Sequence, residues 1–152
     1  MYKIRKLFKF EAAHRLTSSY SKSCQKIHGH SYKLELILCS EELNEDGMVV
    51  DFGMVKDLLK NDLERFDHKF VIYSEDADAK EISNFETACS DLGIVVIPFN
   101  PTAENMAKYF YEIIWKKIYE NEELRGIEIE AVRIHETDTG YAEYTELKFG
   151  AC

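Results

Sequence analysis

Residues 2–14 read YKIRKLFKFEAAH and residues 28–40 read HGHSYKLELILCS, and these two stretches decide the fold. In the first, Ile4, Phe8, Phe10, Ala12 and His14 share one parity, with Lys6 the exception. In the second, Tyr32, Leu34, Leu36 and Leu38 alternate with Ser31, Lys33 and Glu35. Period-2 alternation marks a strand with one buried face. Segment 15–27 is rich in Ser, Thr and Lys and reads as a loop. The two strands are therefore expected to pair as a long antiparallel ribbon.

Downstream of the ribbon, Glu45-Asp46-Gly47 is a turn, and Val49 and Val50 lead into Asp51-Phe52-Gly53. From Met54 the spacing of Val55, Leu58, Leu59, Leu63 and Phe66 predicts a helix that stops before Asp67-His68. Residues 70–99 are less regular. A short helix is expected over 77–92 and a short strand over 94–97, where four β-branched residues run together. The run Asn100-Pro101-Thr102-Ala103-Glu104-Asn105 starts a second long helix, capped either by Asn100 with Pro101 in first position or by Thr102. That helix carries Met106, Ala107, Phe110, Ile113, Ile114 and Ile118 on one face, and Gly126 closes the helical region. Two further strands, 127–136 and 141–149, flank the turn Asp138-Thr139-Gly140. Strands that flank helices in this order imply an α+β domain over 1–152: a four-stranded antiparallel sheet with helices on one face. Such a sheet leaves two open edges, so oligomerisation through them is expected.

Composition narrows the function. A net charge of −9 argues against a nucleic-acid surface, which needs a basic stripe. No run approaches the roughly 18 apolar residues of a membrane span, and no signal-peptide core follows Met1, so a cytoplasmic location is expected. The four cysteines form no C-x-x-C pair and are expected to be reduced. Cys39 sits in an apolar strand and reads as core; Cys89 and Cys152 carry no evident role. Cys24, in a polar loop four residues before His28, stands apart.

The residues that carry chemistry cluster around the ribbon's end. In His28-Gly29-His30 the two imidazoles point to one side of a strand. His14 closes the preceding strand, and antiparallel pairing brings it to them. Three histidines without a fourth protein ligand match a catalytic metal site with an open position, zinc being the expected ion. A thiol beside a divalent metal ionises readily, which makes Cys24 a candidate proton carrier. In Asp67-His68 the carboxylate can orient the imidazole for proton transfer. Glu136, at the end of an apolar strand, can accept two parallel hydrogen bonds from an amidine-like edge.

Taken together, Phe10-Glu11-Ala12-Ala13-His14, Cys24-x3-His28-Gly29-His30, Asp51-Phe52, Asp67-His68, Pro101-Thr102-Ala103-Glu104-Asn105 and His135-Glu136-Thr137 resemble the 6-pyruvoyltetrahydropterin synthase superfamily, in its order and over nearly the whole chain. The resemblance implies the tunnelling fold (T-fold), in which subunits assemble into a barrel as trimers, usually stacked into hexamers, with sites at subunit interfaces. It implies His14, His28 and His30 as zinc ligands and Cys24, Asp67 and His68 as the proton-transfer group. It implies Glu136 as the anchor of a pterin and Thr102 as a further pterin contact from a neighbouring subunit. The biopterin-type branch tends to have five residues between the cysteine and the first histidine, and the bacterial 6-carboxytetrahydropterin synthases of the queuosine pathway have three. A folate-linked branch carries a Glu in this loop. Here Gln25, Lys26 and Ile27 intervene and the loop has no Glu, so the carboxy branch is expected, acting on 7,8-dihydroneopterin triphosphate, with the pyruvoyl product as the alternative. A non-catalytic pterin- or metal-binding module would need neither Cys24 nor Asp67-His68, and a zinc hydrolase would want a Glu base beside the histidines. The triphosphate calls for cations, and Arg15, Lys22, Lys26, Lys33 and Lys69 are the candidates. Two departures from the pattern are Phe66, where a leucine is usual, and the longer segment 74–99, expected to form a surface hairpin or helix.

Overall fold

The computed structural model of the chain describes residues 1–89 and 92–146. The two diagnostic stretches form β1 (Tyr2–His14) and β2 (His28–Ser40), paired antiparallel along their whole length from Tyr2↔Ser40 to His14↔His28. After them come α1 (Phe52–Phe66), β3 (Lys69–Tyr73), α2 (Ala79–Cys89), β4 (Ile94–Ile97) and α3 (Ala103–Glu120). A short 3-10 turn, Glu122–Leu124, leads to β5 (Glu128–Thr137) and β6 (Gly140–Tyr144). The expected strand over 141–149 runs in its last residues outside the described part of the chain, as does Cys152.

The fold is α+β, but the sheet is not the four-stranded antiparallel one expected. It has six strands in the order β4-β3-β1-β2-β5-β6, and it is mixed. The four antiparallel strands form one side, while β3 pairs parallel with β1 and β4 pairs parallel with β3. The added strands follow from local chemistry. Lys69–Tyr73 is only five residues long and carries Phe70, Val71 and Ile72 consecutively. A strand buried on both faces shows such a run instead of alternation, so periodicity gives no sign of it. Docked on β1, it covers the Ala12–His14 end of an edge that the four-stranded reading left open.

The even-numbered side chains of β1 and β2 face α1 and α3. Phe8, Phe10, Tyr32, Leu34, Leu36 and Leu38 are buried there with Val55, Leu59, Phe110 and Ile114. Lys6, the one break in the pattern, lies at the margin of this layer with its ammonium 5.3 Å from the centre of the Phe52 ring. Phe66 is fully buried, its ring centre 5.5 Å from that of Phe110 and 5.7 Å from that of Tyr109, so an aromatic cluster takes up the larger side chain. The opposite face is laced by ion pairs: Glu35 is buried there against Arg133 at 2.7 Å and Arg5 at 3.7 Å.

Two helix starts matter for the site. Asp51 caps α1, its Oδ1 accepting from the Gly53 N–H at 2.5 Å. Of the two caps open for the second long helix, Thr102 is the one used: its Oγ1 accepts from the Asn105 N–H at 3.3 Å, and Pro101 stays outside the helix. Among the described residues no helix is long and apolar enough to cross a membrane.

Candidate active site

The ribbon's register sets His14 opposite His28 and Ala12 opposite His30. His28 and His30 are two apart in one strand, so all three imidazoles leave the same face of the sheet. Their candidate ligand nitrogens lie within 4.8 Å of one another, and the Nε2 atoms of His14 and His28 are 3.1 Å apart. His14 is buried and the other two are half-buried.

Each ring is backed by a main-chain acceptor. His14 Nδ1 lies 2.6 Å from the carbonyl oxygen of Pro101, and His28 Nδ1 lies 2.8 Å from that of Lys26. The His30 ring faces the backbone of Glu136, which pulls its pKa up against the effect of burial. Such contacts place the N–H on the outer nitrogen and turn the other lone pair inward. Burial pushes the His14 pKa down to about 4, against the pull of the Pro101 carbonyl, with His28 and His30 adding to the lowering. Burial also lowers His30. Oriented imidazoles converging on one point are the donor set of a three-histidine metal centre with room for a further ligand.

Glu136 stands beside the cluster, its Oε1 3.9 Å from His14 Nε2. Burial raises its pKa, and the nearby Glu104 carboxylate raises it further. Thr102, expected to reach the substrate from a neighbouring subunit, instead lines the same cleft of its own chain as Glu136; the cleft has about 430 Å³ and is lined also by Leu16, Ala103, Glu104 and Tyr141. A residue that sequence reasoning treated only as core joins them. Tyr32 is buried, with its hydroxyl 3.2 Å from His14 Nδ1 and 3.5 Å from Glu136 Oε1. It lies two residues beyond His30 with the same parity, and that spacing was the available signal.

The expected proton-transfer residues are not among the groups that converge here. Cys24 is half-buried in the loop between β1 and β2, which is closed where the Leu16 N–H donates to the Cys24 carbonyl at 2.8 Å. Asp67 and His68 occupy the junction of α1 and β3. There His68 Nδ1 is 3.0 Å from Asp67 Oδ2, and Asp67 Oδ1 accepts from the Glu11 N–H at 2.8 Å. The Glu11 amide, then the His68 side chain, hold the Asp67 carboxyl below its ordinary value. The His68 N–H donates to the Glu11 carbonyl at 2.6 Å, its φ is +57°, and its side chain is 77% exposed. Among the described residues no hydrogen bond or ion pair joins Cys24 or the Asp67–His68 pair to the histidines. Of the candidate cations, Arg15 forks onto Asp76 and Asp78, and Lys33 pairs with Asp138 at 2.5 Å. Lys22 and Lys26 are exposed on the Cys24 loop.

Comparison with known proteins places the chain in a family. Residues 3–147 match the family model described as 6-pyruvoyl tetrahydropterin synthase. The 6-carboxy-5,6,7,8-tetrahydropterin synthase of Aquifex aeolicus is 35% identical over 95% of this chain and 98% of its own length. The enzyme of the same name from Rickettsia bellii is 33% identical over 94% of this chain and 99% of its own. Among solved structures, an uncharacterized protein from Wolinella succinogenes superposes with a TM-score of 0.79 at 26% identity, covering 95% of this chain and 97% of that one. The Plasmodium vivax 6-pyruvoyltetrahydropterin synthase superposes at 0.67 with 18% identity, over 96% and 99% of the two chains, and so bears on the fold alone. The chain belongs to the 6-pyruvoyl tetrahydropterin synthase family.

Proposed function

We propose that the chain is a zinc-dependent 6-carboxy-5,6,7,8-tetrahydropterin synthase. It converts 7,8-dihydroneopterin triphosphate to 6-carboxytetrahydropterin, releasing acetaldehyde and triphosphate, in the queuosine pathway. The observation that carries the reading is the convergence of three backbone-oriented imidazoles beside a cleft that holds both Glu136 and Thr102. Relatives that bear this name at 30–35% identity over 92–96% of the chain, and the three-residue spacing from Cys24 to His28, support the carboxy product.

His14, His28 and His30 hold the ion. When bound, zinc supplies Lewis acidity to the oxygens of the substrate side chain. Glu136 accepts from the 2-amino-4-oxopyrimidine edge and keeps the ring in register, with Thr102 on the adjoining cleft wall. Cys24 moves protons between side chain and ring, and His68, oriented by Asp67, acts as its acid–base partner.

That no hydrogen bond or ion pair joins Asp67–His68 to the histidines among the described residues, together with the sheet edges at β4 and β6, supports a further part of the reading. The 1–152 domain works in the cytoplasm as a homo-oligomer, trimer or hexamer, with each site completed at a subunit interface. Incubating zinc-loaded protein with dihydroneopterin triphosphate tests the reaction. Acetaldehyde should appear in step with a carboxylated pterin, and Cys24→Ala should stop turnover while retaining zinc. A pyruvoyl product without acetaldehyde would move the chain to the other branch. No consumption of substrate would refute the enzyme reading.

A further inference from the structure

Tyr32 asks for an explanation that packing does not supply. Its ring stacks on Phe10 at 5.0 Å between centres, nearly parallel, and meets His14 and His30 edge-on. A phenylalanine would fill that space equally well. The hydroxyl is therefore an extra buried polar group, costly unless it has a partner.

Its choice of partner is narrow. His14 Nδ1 is 3.2 Å away, but that nitrogen donates to Pro101 and has no lone pair to offer. His14 Nε2 is 3.4 Å away, but its lone pair is directed at the other histidines. The acceptor that remains is Oε1 of Glu136 at 3.5 Å. We propose that Tyr32 is a positioning residue: it donates to Glu136 from beneath and holds the carboxylate turned toward the cleft for the substrate's pyrimidine edge. The proposal rests on the pterin reading above. It also ties substrate binding to the metal centre, because one phenol touches both the first metal-binding histidine and the anchor.

Tyr32→Phe in the full-length chain tests this, since it keeps the ring and deletes only the donor. Zinc bound per chain should stay unchanged. KM for dihydroneopterin triphosphate should rise about tenfold, as expected for one lost hydrogen bond to a charged group, with kcat within about twofold. The Kd of metal-free protein for 7,8-dihydroneopterin, read by pterin fluorescence, should rise by the same factor. In a Glu136→Gln background the effect should shrink, as coupled residues require. Unchanged KM and Kd in Tyr32→Phe overturn the proposal, and so does loss of zinc, which would make the hydroxyl a support of His14 instead. An equal effect in both backgrounds overturns it too. Wild-type protein that binds no dihydropterin refutes the functional reading and this proposal with it; wild-type binding that is indifferent to the substitution refutes this proposal alone.

Discussion

At His14 three demands meet in one ring: it closes β1, it lies inside the core boundary, and its Nε2 would have to stay unprotonated to hold an ion as proposed. Burial meets the last demand by pushing its pKa from 6.5 to about 4. Above pH 6.5 the ring is neutral in both the folded and unfolded chain and contributes no pH dependence. As pH falls from 6.5 toward 4, the unfolded chain takes up a proton that the folded chain refuses. The metal-free protein should therefore lose stability across that window, by up to about 3 kcal/mol at its lower end. Denaturant melts at several pH values check this, and His14→Gln should flatten the slope; an equal slope in both proteins would contradict it. At this scale the sequence was informative about which imidazoles meet, because two share a strand parity and the third ends the paired strand. It was silent on what orients them. The carbonyls of Pro101 and Lys26 are backbone groups, which side-chain patterns do not report, and Pro101 comes from 87 residues away.

Among the elements, the long amphipathic pieces were legible and β3 was not. Helices α1 and α3 follow their apolar stripes, and the ribbon follows its alternation to the last pair. Recognising β3 would have required knowing that β1 had a free side to receive it, which is a tertiary fact. Gly93 shows what this pairing demands. It has φ +74°, its carbonyl accepts from the Phe70 N–H at 2.8 Å, and an added Cβ would lie 3.3 Å from the His68 carbonyl oxygen and 3.2 Å from the Lys69 side chain. Gly93→Ala should destabilise the chain by about 1–2 kcal/mol through the left-handed backbone, and by more if the β3–β4 register moves. Chemical denaturation with amide exchange at Phe70 and Val71 measures both. A neutral substitution would show that this loop can relax.

For the whole molecule, the net charge of −9 was a poor guide to the cations. Arg15 follows His14, one of the three clustered histidines, in sequence and looked available for a phosphate. In the fold it is tied to Asp76 and Asp78 at the start of the longer segment 74–99, so that segment braces the base of the Cys24 loop. Charge counts carry no such pairing. The metal should be felt by the molecule as a whole, since the site joins β1 and β2 and, through Pro101 and Glu136, the start of α3 and the end of β5. An ion held at one hundred times its Kd adds about 2.7 kcal/mol. Chelation should then lower Tm by roughly 5–10 °C for a chain of this size, and zinc should restore it. A chelator-indifferent melt would argue that the histidines do not bind metal.

The left-handed backbone at His68 carries a price for durability. A side chain there resists the conformation that its own peptide must keep, and glycine would not. His68→Gly should leave the bond to the Glu11 carbonyl in place and yield a protein at least as heat-resistant as the parent but without turnover. If so, selection at this position has kept reactivity at the expense of robustness. In that case a library screened for thermal tolerance alone would drift toward dead enzymes by way of this residue.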